Sequence, residues 1–264
     1  MNIGKNEKKC CCFGDMPKEL KLVYAILAVL TVAVTVLCFK VCSLLRDRGS
    51  GPDSPLDEKF STWIGKNPEA IMNSVNRHVE RQRGERQTQQ AEKVKKNMDS
   101  ILSEKNAGVY NPSGKKVVVV FYDYNCGYCK KASQAIEELV RENKNVKVLF
   151  RDLPIFGGIS TVAAKYSIAV AMVEAKKFFD FHRALMAGNA GDESSIESAL
   201  VAAKINVEKI RRTLNSKSRE IEERVAANMN LAGSLDIGGT PAMVVDGKFF
   251  AGYLDASTLG EMLR

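Results

Sequence analysis

The hydrophobic and polar positions divide the chain into regions with different patterns. Apart from Lys40, residues 22–45 form an apolar run without charge. A helix of this length can cross a bilayer, and Lys40 can extend its amine to the interface. We therefore predict a membrane-spanning helix at 22–45. A short tail, 1–21, precedes it, and a linker rich in Gly, Ser, Pro and charge, 46–56, follows.

A second region, 57–105, has a helical pattern that changes along its length. Apolar residues first recur at helical spacing, at Phe60, Ile64, Ile71, Val75 and Val79. Residues 80–93 are almost entirely polar, so this stretch is either a solvent-spanning rod or a hinge, and Gly84 favours a hinge. Because the apolar stripe has no partner in its own segment, we predict a helical stalk that packs on the rest of the chain or on copies of itself.

The last region, 106–264, alternates strand and helix patterns. Asp246-Gly247 separates two short apolar runs and is a strong hairpin signal. We predict strands at 117–122 and 146–151, a helical stretch at about 159–236, strands at 242–245 and 248–251, and a final helix that Asp255 can cap. This order predicts an α/β domain with an inserted helical bundle.

Composition and charge add little to this division. The chain has 264 residues, of which 45% are hydrophobic, and a formal net charge of +8. These values are ordinary for a globular protein. Lys and Arg alternate with Glu and Asp along the predicted helices, so the charge indicates a solvated surface and we predict no nucleic-acid partner.

The cysteines are distributed unevenly. Five of the seven lie within the first 42 residues, which leaves only Cys126 and Cys129 in the predicted α/β domain. A domain stapled by disulfides would carry an even set spread over the fold. Zinc would need four ligands, and the chain beyond the apolar run offers only His78 and His182 besides this pair. We therefore predict a redox pair and no metal or other cofactor.

The position of the CGYC sequence specifies its chemistry. Cys126 follows a buried strand and begins a helix, where free N–H groups and the helix dipole stabilise its thiolate. Gly127 and Tyr128 separate it from Cys129, which lies one turn along and is the more buried of the two. We predict that Cys126 is the nucleophile and that Cys129 resolves the mixed disulfide.

A second motif, Thr240-Pro241, lies directly before the predicted terminal hairpin. In a domain with a CxxC pair, a cis bond before Pro241 would pack against the redox centre. The backbone of Thr240 could then pair with an extended substrate peptide.

Three stretches of sequence resemble a known family. VVVVFYDYNCGYCKKA, GGTPAMVVDGKFFAGYLD and the helical insert between them are similar to the DsbA-like branch of the thioredoxin superfamily. KNPEAIMNSV in the stalk is similar to the arm of the suppressor-of-copper-sensitivity C proteins (ScsC-like). The resemblance implies a thioredoxin fold with an inserted helical domain, Thr240-Pro241 as the cis-proline loop, and trimerisation through the arm. It also implies a periplasmic thiol oxidoreductase that acts on unfolded or misfolded proteins.

One position departs from the family pattern. Related proteins often carry a buried Glu six residues before the first cysteine, where it accepts a proton from the resolving thiol. Val120 occupies that position here. Asp123 is closer to the motif, but strand alternation points it to the other face. The proton acceptor for Cys129 is therefore left open by the sequence.

The charges near the apolar run favour a single-pass orientation with the N-terminus inside, and the resemblance implies that the membrane is the bacterial inner membrane. Lysines precede the run in excess, which places the tail in the cytoplasm and the catalytic domain in the periplasm. Three functions follow. A disulfide isomerase, kept reduced by a DsbD-like membrane reductase, is favoured by the arm and by the CGYC and Thr-Pro pairing, which resembles isomerases more than DsbA oxidases. The alternatives are a disulfide-introducing oxidase recharged by a DsbB-like partner, and a Cu(I)-handling protein that uses the two thiolates.

Overall fold

The computed structural model describes residues 18–49, 55–188 and 190–264 of the chain. Cys10, Cys11 and Cys12, whose role the sequence left open, lie outside the described residues. The chain forms two compact units, one ending at His78 and the other beginning at Val79.

The described part of the N-terminal unit is helical except at Asn67. Helix α1 spans Lys18–Gly49 and contains a 23-residue segment, Leu22–Leu44, with a mean hydropathy of 2.7. By length and composition this helix can cross a membrane. Because α1 continues to Gly49 and the next helix, α2, begins at Pro55, the linker predicted at 46–56 is shorter than expected.

The stalk consists of α2 (Pro55–Lys66) and α3 (Pro68–Lys96). The interruption at Asn67 agrees with the prediction that Pro68 starts a new helix, since proline has no N–H to lose in a first turn. The predicted hinge at Gly84 is wrong, because α3 passes through this residue without a break. A single glycine costs a helix only about 1 kcal/mol, and the flanking Arg, Glu and Gln residues are good helix formers.

The second unit contains a five-stranded sheet with helices on both faces. The strand order is β1-β3-β2-β4-β5, with β2 and β3 parallel and the other neighbours antiparallel. The strands are β1 (Gly108–Tyr110), β2 (Lys116–Tyr122), β3 (Val146–Asp152), β4 (Ala242–Val245) and β5 (Lys248–Ala251). The helices are α4 (Met98–Leu102), α5 (Gly127–Glu142), α6 (Gly158–Val173), α7 (Phe178–Ala187), α8 (Glu193–Ala202), α9 (Val207–Ser216), α10 (Ser218–Ser234) and α11 (Ala256–Met262).

This architecture confirms the predicted thioredoxin-type fold with an inserted helical domain, which comprises α6 to α10. The predicted hairpin strands have the observed bounds, and the Asp255 carboxylate caps α11 by accepting from Thr258 N at 2.8 Å. Strand β1 was not predicted. It is three residues long, and a Cβ at its Gly108 would lie 1.9 Å from the Phe178 ring, so close packing rather than pattern defines it.

Alternation along β2 divides the core between the two faces of the sheet. Val118, Val120 and Tyr122 belong to the larger apolar cluster, which also contains Cys126 and Cys129. Val119 and Phe121 face a smaller cluster on the other side. The two cysteines of the CGYC sequence therefore lie on the face of the sheet that is covered by the larger cluster.

The C-terminal end of α3 is anchored in the smaller cluster. Val94 is buried there, Gln90 donates its amide to Leu235 O at 2.8 Å, and Lys93 forms an ion pair with Asp236. The predicted polar rod therefore includes a docked segment, because a helix with few apolar residues can still be fixed by one core residue and polar contacts.

Arg151 fixes α4, the helix that follows α3, to the sheet. It is buried on β3, and its guanidinium donates to the carbonyls of Ser100, Ile101 and Ser103, at 2.6, 3.0 and 2.6 Å, and to Asn228 Oδ1 at 2.9 Å. Desolvation lowers its pKa to about 10. The last carbonyls of α4 thereby find a donor, which joins the end of the stalk to the catalytic domain.

Candidate active site

The CGYC sequence lies at the junction of β2 and α5. Residues 123–125 turn the chain, and Cys126 is the N-cap of α5 with extended backbone angles (φ −85°, ψ 118°). The Cys126 carbonyl accepts from the backbone N–H of Cys129 at 3.0 Å and of Lys130 at 3.2 Å, which starts the helix. Cys126 is 6% exposed and Cys129 is 1% exposed. The expected order of burial is therefore observed.

Thr240-Pro241 lies against this pair, although it is 114 residues away along the chain. The bond between these residues is cis. The Cys126 thiol donates to the carbonyl of Thr240, with a distance of 3.2 Å between sulfur and oxygen. The sequence-predicted site residues Cys126, Cys129, Thr240 and Pro241 are thus brought together in one place.

The thiol of Cys129 is held in a less polar environment. Burial raises its pKa well above the usual value for a cysteine. The backbone of Asp123 and the side chain of Thr240 partly offset this effect. The Thr240 hydroxyl is itself buried and makes no hydrogen bond of good geometry within the described part of the chain. This buried hydroxyl therefore lies beside Cys129, where its proton is available to a sulfur.

Asp123 fixes the turn that leads into the motif. Its buried carboxylate accepts from Asn125 N at 2.8 Å, from the Ser160 hydroxyl at 2.7 Å and from Phe156 N at 3.2 Å. These contacts tie the turn before Cys126 to the loop after β3 and to the start of α6. The carboxylate oxygens are occupied by structural contacts, so Asp123 serves as a positioning residue.

Exposed aromatic side chains lie on the surface near the pair. The rings of Tyr128 and Tyr253 stack with 6.4 Å between centroids, and the Lys131 amine lies 5.3 Å from the Tyr128 ring centre. Phe156, in the loop held by Asp123, is also exposed. Apolar groups on a monomer's surface near a reactive site are typical of a binding surface for polypeptides. Sequence reasoning missed Tyr253 and Phe156, since neither belongs to a chemical motif.

A buried polar cluster occupies the Cys129 side of the sheet. The Tyr122 hydroxyl donates to Asp152 Oδ1 at 2.8 Å, and the Ser167 hydroxyl donates to Asp152 Oδ2 at 3.0 Å. The Tyr124 hydroxyl lies 3.2 Å from Tyr122 and 3.3 Å from His182 Nδ1. Burial raises the pKa of Asp152 to about 8 and lowers the pKa of His182 to about 3. Both groups are therefore neutral from about pH 3 to pH 8.

This cluster predicts that the free energy of unfolding decreases as the pH rises above about 6.5. An unfolded Asp has an ordinary pKa of 3.8, so between pH 3.8 and 8 the folded protein holds a proton on Asp152 that the unfolded chain has released. Below pH 6.5 the lowered pKa of His182 has the opposite effect, since the unfolded chain then takes up a proton that the folded one does not. From pH 6.5 to 8 only the Asp152 effect acts, and stability should fall by about 1.4 kcal/mol per pH unit, roughly 2 kcal/mol in all.

Chemical denaturation of wild type and Asp152→Asn between pH 5 and 8.5 measures this effect. The variant should lose the decline above pH 6.5. Asp180→Asn, at an exposed carboxylate, is the matched control and should keep it. An unchanged decline in Asp152→Asn would show that another group titrates.

Comparison with known proteins places this geometry in a family. The model of the DsbA-like thioredoxin domain matches residues 117–264, more than half of the chain. The chain belongs to the DsbA-like thioredoxin family. Its enzyme class is accordingly that of the family, the thiol–disulfide oxidoreductases.

Solved structures agree with this placement. The thiol–disulfide exchange protein α-DsbA2 from Wolbachia pipientis is 27% identical, with a TM-score of 0.63 over 67% of this chain and 96% of that one. The catalytic domain of Proteus mirabilis ScsC is 25% identical, with a TM-score of 0.57 over 66% and 96%. BcfH from Salmonella enterica Typhimurium covers 87% of this chain and 98% of its own, with a TM-score of 0.66; at 22% identity it shows the fold alone.

Curated sequences matched by the chain are larger proteins. The Na(+)/H(+) antiporter NhaA 1 of Salinispora arenicola is 25% identical over 152 residues, which are 57% of this chain and 23% of the antiporter. The chain spans about a quarter of the length of the curated relatives it matches.

The DsbA-like family and the ScsC-type fold predicted from the sequence are confirmed by the family match and the solved structures.

Proposed function

We propose that this family member is a protein disulfide isomerase that acts through Cys126 and Cys129. The observation that carries the proposal is the buried Thr240 hydroxyl beside the redox pair, which has no other partner of good geometry among the described residues. A hydroxyl in this place can donate to a sulfur in the reduced pair. Because it stabilises the reduced form, it favours the state that an isomerase needs at the start of its cycle.

The exchange reaction follows from the positions of the two sulfurs. The Cys126 thiolate attacks one sulfur of a client disulfide, forms a mixed disulfide and releases the other client sulfur as a thiolate. A second client thiolate then attacks the client sulfur bound to Cys126, which forms a new client disulfide and releases the Cys126 thiolate. No net electrons pass between client and enzyme.

Cys129 provides the way out of a stalled mixed disulfide. Its sulfur attacks Cys126, releases the client as a thiol and leaves the Cys126–Cys129 pair oxidised. A membrane reductase of the DsbD kind must then return two electrons to the pair. In the alternative function, a disulfide-introducing oxidase, the pair starts oxidised, takes two electrons from a client dithiol and needs a DsbB-like oxidant.

Further parts of the proposal concern place and assembly. The apolar helix α1 supports an anchor in the bacterial inner membrane, with the catalytic domain in the periplasm. The exposed stripe of the stalk supports a homo-oligomer, which we take to be a trimer, and the clients are unfolded or misfolded proteins. The third function indicated by the sequence is Cu(I) handling by the two thiolates. No feature of the described site favours it over thiol–disulfide exchange.

Two ribonuclease assays on the full chain in detergent test the proposal. An isomerase reactivates scrambled ribonuclease, whereas an oxidase acts chiefly on the fully reduced enzyme. We expect faster reactivation of the scrambled form than of the reduced form. The reverse order would support the oxidase instead.

The Thr240 hydroxyl gives a sharper prediction. Thr240→Val keeps the shape but removes the donor, so the reduced pair loses a hydrogen bond of about 0.5–1.5 kcal/mol. The redox potential should fall by about 10–30 mV, so less of the pair is in the reduced form that isomerisation needs, and isomerase activity should fall. Equilibration with glutathione buffers measures the potential. Thr240→Ser, which keeps a hydroxyl, is the control, and equal potentials in wild type and Thr240→Val would contradict the assignment.

A further inference from the structure

Strand β5 presents an unpaired edge in the described structure. It is the last strand of the sheet and pairs with β4 alone. The two-residue turn Asp246-Gly247 makes Val245 and Lys248 the first hydrogen-bonded pair of the hairpin. Alternation then directs the N–H and C=O of Phe249 and Ala251 away from β4. Gly252 N, which donates to Pro241 O at 2.9 Å, fits the same alternation.

A groove runs beside this edge. It has a volume of about 1020 Å³, and its two walls are β5 and one face of α3. The outward main-chain groups of Phe249 and Ala251 therefore border this open space. The half-buried ring of Phe249, which packs on the smaller cluster together with Val94 of α3, gives the groove an apolar floor, whereas the ring of Phe250 packs on the opposite face of the sheet.

The charges around the groove are mostly positive. Arg83 and Arg86 line the α3 wall, and Lys248 lines the strand wall. Asp236, the one acidic residue among those that line it, forms an ion pair with Lys93. Glu80 pairs with Arg83 at 3.1 Å, but both side chains are largely exposed, and such pairs contribute little. The groove thus favours a segment that carries negative charge.

The edge is continuous with the candidate active site. The hydrogen bond from Gly252 N to Pro241 O joins the end of β5 to the cis-proline loop. Tyr253 follows directly and stacks on Tyr128 of the CGYC motif. A polypeptide bound at Cys126 therefore has a path along Tyr253 to the β5 edge.

We propose that the groove between α3 and β5 binds an extended, acidic segment of a client polypeptide as an added strand. This inference rests on the proposed function, since it supplies a second attachment point for the same client. Main-chain pairing with Phe249 and Ala251 gives affinity, the apolar floor takes alternate side chains, and the arginines select acidic ones. A client held in this way stays bound while its sulfurs exchange at Cys126.

Fluorescence anisotropy with cysteine-free peptides tests the groove without relying on the redox pair. The full chain is placed in nanodiscs of zwitterionic lipid, and a labelled decapeptide of alternating Val and Glu is titrated. We expect saturable binding that weakens with salt. A Val/Lys peptide and a Val/Glu peptide with two central prolines should each bind at least about fivefold more weakly.

Ala251→Pro is the decisive variant. It removes an outward N–H and leaves every hydrogen bond between β4 and β5 intact, so the fold tolerates it better than a proline at Phe250 would. Peptide affinity should fall at least about fivefold, while Ala251→Val should bind like wild type. Arg83→Glu with Arg86→Glu should also weaken binding, whereas Arg77→Glu with Arg81→Glu, outside the groove, should not.

The outcomes separate this inference from the proposed function. Exchange with a small-molecule disulfide should be equal in wild type and Ala251→Pro, because it needs only the cysteines. Loss of that exchange in wild type would refute the proposed function instead. Equal peptide binding by Ala251→Pro and wild type would overturn the inference. A second result would also overturn the inference: wild type binds no peptide, and Ala251→Pro loses self-association. The groove would then bind a second copy of the chain instead of a client.

Discussion

Cys129→Ser should convert the protein into a trap that accumulates client proteins as mixed disulfides, whereas Cys126→Ser should reduce exchange to the uncatalysed level. The reason is the difference between the two positions. Cys126 begins α5 at the edge of the site, while Cys129 is almost fully buried and burial raises the pKa of its thiol. A client disulfide can therefore reach Cys126 first, and Cys129, the other cysteine of the motif, can then displace the client.

Non-reducing electrophoresis of membranes from cells that express each variant measures this effect. Adducts that disappear on reduction should be abundant with Cys129→Ser and absent with Cys126→Ser. The double variant Cys38→Ser with Cys42→Ser is the matched control, because these cysteines lie in α1, and it should behave like wild type. Equal adducts in Cys126→Ser and Cys129→Ser would reverse the assigned roles.

The features that the sequence predicted well are local ones. The run 117–122 is β-branched and bounded by turn residues, so its strand needs no distant partner to be recognised. Asp246-Gly247 specifies a hairpin by its own backbone preferences, and Pro68 specifies a helix start in the same way. The cysteine pair was recognised because its spacing and its place after a strand combine two local signals.

The features that the sequence did not predict depend on distant contacts. Arg151 would be expected at a surface, yet the carbonyls of α4 and Asn228 hold it in the core. The cluster around Asp152 joins β2, β3, α6 and α7, so no single segment displays it. At Gly84 a local signal gave a wrong prediction. Its preference for a hinge was overridden by the good helix formers around it, and α3 continues through this residue.

Loss of the stalk's first part should change both assembly and activity. Four of the five side chains of its stripe are exposed, from 38% for Ile64 to 62% for Phe60, and Ile71 is half-buried. Burying such a side chain is worth about 1.5–3 kcal/mol, and the proposed membrane anchor would concentrate the chains in one plane. We therefore expect the wild-type chain to be a homo-oligomer. Deleting residues 57–78 should give a monomer, and the deletion stops there because the residues from Gln90 onward are fixed to the catalytic domain.

The activity of this monomer should shift from isomerase towards oxidase. In an oligomer several redox pairs can engage one misfolded client, and neighbouring subunits restrict access by a membrane oxidase. Light scattering in detergent and the two ribonuclease assays measure both effects. Ile64→Glu with Val75→Glu should reproduce the deletion, since charge on the stripe opposes its burial, and Ser61→Glu with Asn76→Glu beside the stripe should leave the oligomer intact. A wild-type chain that is monomeric at tens of micromolar would contradict self-association and favour the oxidase, because a single exposed redox pair is open to recharging.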